Sequence, residues 1–106
     1  MRGQDFGTPF NATGTGTTSA LATQAAETGK KHFITDISVG TDAQGQTIQI
    51  RDSGTVIWAL WMAGTSNSVF SRSFSTPIGG SLGSAVSLYV GTSTAVAYAN
   101  ISGYTL

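Results

Sequence analysis

His32 is the only histidine in the chain, so any general base or Ser-His arrangement working near neutral pH must use it. The carboxylates that could orient it are Asp36, Asp42 and Asp52. Asp36 falls on the same strand face, but four residues along a strand is about 13 Å, too far for contact. Asp42 and Asp52 would have to arrive from other elements. Beside Lys30 and Lys31 at the start of a strand, His32 reads as a solvated rim residue. The three Asp form no ligand-spaced loop, and Cys is absent, so no catalytic set, metal site or cofactor is expected.

Two other patterns invite a binding role. Gly79-Gly80 and Gly103 suggest a phosphate loop, but no Lys follows and no helix begins there, so turn glycine is the better account. Trp58 and Trp61 offer aromatic faces suited to the C–H surface of a sugar. Three residues apart on a strand, they lie on opposite faces, and at most one can join such a platform. Core packing plus a subunit contact is the favoured reading of the pair.

Composition narrows the field further. Charged residues are 9% of the chain and the net charge is zero, so solubility rests on hydroxyls and amides. Five basic residues cannot supply the counterion release on which nucleic-acid binding depends. Met1-Arg2 is followed by no apolar run and no stretch reaches a membrane span, so the expectation is a chain made in the cytoplasm, with no membrane partner. At 106 residues a single domain burying roughly two-thirds of its unfolded surface is expected. Thr, Ser and Gly dominate over helix formers, which points to an all-β fold.

The elements follow from alternation. Gln46 to Ala63 reads as two strands around an Asp52-Ser53-Gly54 turn, with Ile48 and Ile50 inward on the first arm. On the second arm Val56, Trp58, Leu60 and Met62 share one face and Ile57, Ala59 and Trp61 the other. A strand apolar on both faces is expected between two layers, or between its own core and a partner subunit. From Lys31, Phe33, Ile37 and Val39 share a face with Thr35, opposite His32, Ile34, Asp36 and Ser38. Val69–Ile78 places Phe70, Arg72, Phe74, Thr76 and Ile78 together, Val86, Leu88 and Val90 form an inward row, and Ala95–Ile101 gives the last strand. Ser19–Ala26 reads as a short strand or one helical turn, with strand favoured by the flanking Thr and Ser. Residues 1–18 lack a period and read as an extended N-terminal arm on a single 19–106 domain. Phe6 and Phe10 flank Pro9 there, and are expected to dock on a partner or pack back on their own domain.

About seven or eight short strands with regular turn signals define an antiparallel β-sandwich or jelly roll. The order HFITDISV, an IQIRDSGTVIW hairpin, FSTPIGGSLGSAVSLYV and a closing AVAYANISGYTL resembles the capsid decoration (cement) proteins of tailed bacteriophages, over residues 31–106. That resemblance implies a jelly-roll homotrimer, a structural virion protein on the capsid surface, the major capsid protein as partner, and no enzymatic activity. The candidate contact residues are then Phe6, Pro9, Phe10, Trp61, Tyr89 and Tyr98. The alternative is a carbohydrate-binding module of a tail fibre or adhesin, which requires an exposed aromatic cluster at a loop end.

Overall fold

The computed structural model describes residues 7–16, 19–41, 46–62, 68–91 and 97–106. Within them the chain forms eight strands: β1 (Thr8–Gly16), β2 (Ser19–Gln24), β3 (His32–Thr41), β4 (Gln46–Asp52), β5 (Thr55–Met62), β6 (Ser68–Gly79), β7 (Val86–Gly91) and β8 (Ala97–Thr105). They pair antiparallel as β1 with β8, β2 with β7, β3 with β6 and β4 with β5. This is one long hairpin ribbon. Rolled up, it sets β3 beside β8 and β4 beside β7, giving two four-stranded sheets ordered β1-β8-β3-β6 and β2-β7-β4-β5. The fold is therefore an all-β, antiparallel jelly-roll sandwich.

The inward rows are those that alternation marks most cleanly. Ile48 and Ile50 on β4 and Val86, Leu88 and Val90 on β7 are fully buried, facing Ala97, Ala99 and Ile101 from β8. The β4–β5 turn forms as its residues require: Ser53 and Gly54 both take positive φ, 48° and 94°, the pair that a two-residue hairpin loop needs.

Three expectations are corrected. Residues 8–16 are not a free arm. They make an edge strand along the whole of β8, with Phe10, Ala12, Gly14 and Gly16 turned to the less exposed side. β1 lies so close to β2 that a side chain at Gly14 would collide with the Leu21 carbonyl, and beyond Phe10 its inward positions are Ala12, Gly14 and Gly16, which leave no hydrophobic period to read. Residues 1–6, including Phe6, lie outside the described residues.

β3 changes face midway. A bulge between Ile34 and Asp36 adds a residue, so His32 and Ile34 point inward and so do Ile37 and Val39. A second irregularity opposite Ile50 and Arg51 affects β5. Trp58 pairs with inward Ile50 but Val56 with outward Arg51, so Val56 leaves the face it was expected to share. β5 lies at a sheet edge and not between layers, with Val56 and Ile57 exposed.

Candidate functional site

Outward-facing residues of the β1-β8-β3-β6 sheet fall into four rows, each crossing all four strands. The first row is Pro9, Tyr104, Phe33 and Gly79. Tyr104 and Phe33 stack with centroids 5.1 Å apart and planes 18° from parallel. The Phe33 ring extends over Gly79, 2.9 Å from where a Cβ would sit there, so a side chain at that position would displace the ring. The Lys31 ammonium lies over the same ring at 5.6 Å.

The next two rows are polar throughout. Asn11, Ser102, Asp36 and Ser73 form one, and Thr13, Asn100, Ser38 and Ser71 the other. Ser73 donates to Asp36 Oδ1 at 2.5 Å and Thr35 to Oδ2 at 2.9 Å, and these two hydrogen bonds hold the Asp36 carboxyl below its ordinary 3.8. Ser102 donates to Asn11 at 3.4 Å. Asp36, Ser38, Ser71, Ser73, Asn100 and Ser102 contribute to the wall of an open depression of about 220 Å³.

The fourth row is Thr15, Tyr98, Gly40 and Val69. Tyr98 is 54% exposed and Val69 79%, and nothing lies within 4 Å of a Cβ built on Gly40, so the row has an aromatic wall, a gap and an apolar wall. Tyr104 and Tyr98 are six residues apart on β8, about 20 Å. Between these aromatic ends lies a floor of hydroxyls, amides and one carboxylate.

The other sheet presents a different surface. Tyr89 lies against Gly91, and the Arg51 guanidinium covers its ring at 4.1 Å while donating through Nε and Nη2 to Gln49 Oε1 at 2.9 and 2.7 Å. Arg51 thereby occupies a face of Tyr89 that a flat ligand would use.

The six candidate contact residues therefore scatter. Pro9 and Tyr98 share the outer face just described, Tyr89 is on the opposite sheet, and Trp61 stands opposite Thr47 in register, its side chain outside those described. Phe10 takes the second of its two expected roles and is no outward contact: it points inward and meets the His32 ring edge-on at 5.6 Å, packing on its own domain. Trp58 is likewise inward, edge-on to Phe74 at 5.5 Å.

His32 is not a rim residue but fully buried. Its Nε2 lies 2.7 Å from the Ala25 carbonyl, which can only accept, so Nε2 carries the proton. Nδ1, 2.7 Å from Thr105 Oγ1, then accepts from that hydroxyl. With both nitrogens engaged the ring is a structural clip joining the starts and ends of three elements, not a base awaiting substrate. Asp52 is likewise structural: its Oδ2 accepts from the Ser81 amide and hydroxyl and fixes the turn between β6 and β7. Among the described residues no group of three His, Cys, Asp or Glu could hold a metal ion.

No family model and no curated protein matches the chain. Among solved structures it is similar to a carbohydrate-binding module, CBM36, in complex with calcium and xylotriose, at 13% identity and a TM-score of 0.44, covering 90% of this chain and 97% of the other. It is also similar to the CBM36-1 domain of a multidomain xylanase from the hindgut metagenome of Trinervitermes trinervoides, at 12% identity and a TM-score of 0.38, covering 88% and 73%. Neither likeness bears on what this chain binds.

Proposed function

We propose that the chain is a non-catalytic glycan-binding domain that holds its ligand on the outer face of the β1-β8-β3-β6 sheet. The observation that carries this reading is the row order: stacked Phe33 and Tyr104 at one end, exposed Tyr98 at the other, and two uninterrupted rows of short hydrogen-bonding side chains between. A sugar ring has an apolar C–H face and a rim of hydroxyls that both donate and accept. Aromatic rings match the first, and Ser, Asn and Asp match the second. Short side chains on strands lose little rotamer freedom on binding, and a sheet face is pre-organised.

The capsid-attachment reading draws on the resemblance over residues 31–106, the low charge, the lack of a catalytic set, a free arm and a strand apolar on both faces. With residues 8–16 paired in a sheet the free arm no longer supports it, while the jelly-roll fold, the low charge and the exposed Val56 and Ile57 on edge strand β5 still do.

The test is affinity electrophoresis of the full chain through gels cast with individual soluble polysaccharides. Retardation in at least one gel is expected, and unretarded migration across a panel of neutral, amino and acidic glycans would overturn the reading.

A further inference from the structure

We propose, resting on the glycan reading above, that Asp36 makes this face selective for uncharged sugar chains over acidic ones. Among the described residues of the four rows, Asp36 is the one charged side chain. It stands in the polar floor, exposed, and cannot swing aside because Ser73 and Thr35 each donate to one of its oxygens. Each oxygen keeps a further lone pair for a ligand hydroxyl. A neutral sugar supplies such a donor.

A uronic acid supplies a like charge instead. The cations bordering the face form no ion pair with Asp36: Arg72 also lines the depression but its guanidinium lies over the Phe74 and Trp58 rings at 5.6 and 6.0 Å, and the Lys31 ammonium lies over Phe33. The influences on the Asp36 carboxyl are hydrogen bonds and slight burial, with no ion pair among them. Two like charges about 4 Å apart in water-like surroundings disfavour binding by about fivefold, and salt screens the effect.

The experiment takes a neutral oligosaccharide that binds and its C6-oxidised, carboxylate-bearing counterpart. Both are titrated calorimetrically against the full chain and against Asp36→Asn at low ionic strength, with thermal melts to confirm that the variant folds. The acidic form should bind the native chain about fivefold weaker or worse, and the ratio should fall to about one in Asp36→Asn and shrink with added salt. Equal binding of the two glycans, or a ratio that Asp36→Asn leaves unchanged, overturns the selectivity while leaving the glycan face intact. If no glycan binds at all, the reading of the face fails and this inference fails with it.

Discussion

The Nδ1 of His32, at the start of β3, lies 2.7 Å from the hydroxyl of Thr105, at the end of β8, and both side chains are buried. The imidazole also reaches back to Ala25, just beyond β2 and seven residues before His32, so one ring ties the β2–β3 connection to the far end of the chain. The backbone ladder continues past the clip, with Lys31 and Leu106 exchanging amide-to-carbonyl hydrogen bonds at 2.9 and 3.0 Å.

Replacing this ring should be expensive. His32→Ala removes a buried side chain and leaves the Ala25 carbonyl and the Thr105 hydroxyl without partners, a loss of about 2–4 kcal/mol. Thr105→Val leaves only Nδ1 unpaired and should cost about 1–2 kcal/mol. Urea unfolding of both variants checks the ranking; equal, negligible losses would mean the clip does not hold the fold.

Two glycines in β3 and β8 should respond oppositely to Ala. At Gly103 a Cβ would overlap the Phe33 carbonyl and press on the Phe10 ring, so Gly103→Ala should lose about 3 kcal/mol or more. At Gly40 the space is open and φ is ordinary, so Gly40→Ala should hold or gain up to about 1 kcal/mol. Thermal melts of the pair decide it.

Asp36 should titrate low, and for a local reason. Because its folded value is depressed, its contribution to stability is present above the unfolded value near 3.8 and is lost as pH falls through the lower folded value. The group is exposed, so the stability effect is small and screened. Carboxyl-carbon NMR is the better readout: Ser73→Ala should move the Asp36 midpoint upward, toward the ordinary value. No movement would mean the Ser73 hydroxyl does not hold the carboxylate.

Tyr98→Ala should separate binding from folding. The side chain is 54% exposed, so removal should leave the melting temperature within a degree or two of the native chain's. Loss of a stacking face should weaken glycan affinity by about tenfold, roughly 1–1.5 kcal/mol. Calorimetric titration beside a thermal melt checks both halves.

Much of this architecture was legible in the sequence because some strands bury one face cleanly. Ile48 and Ile50, and Val86, Leu88 and Val90, announce their phase by strict alternation, and Asp52-Ser53-Gly54 announces its turn. β1 was illegible because beyond Phe10 its inward positions are Ala12, Gly14 and Gly16, which leave no hydrophobic period. The face of His32 was misjudged because the bulge at Thr35 shifts the phase of β3 after Ile34, and no residue type there marks it. Pro9 and Tyr98 stood out individually, but the polar floor did not. Ser38, Ser71, Asn100 and Ser102 come from three strands, and only the register of the folded sheet sets them side by side.

The most direct test of the glycan face is amide chemical-shift mapping of the full chain as a bound oligosaccharide is titrated in. Perturbations should concentrate on outward positions of β8, β3 and β6, with Ser102, Asn100, Ser38 and Ser71 moving most and Tyr98 and Tyr104 at the ends. Perturbations confined to Tyr89, Arg51 and Gln49 on the opposite sheet would contradict the account.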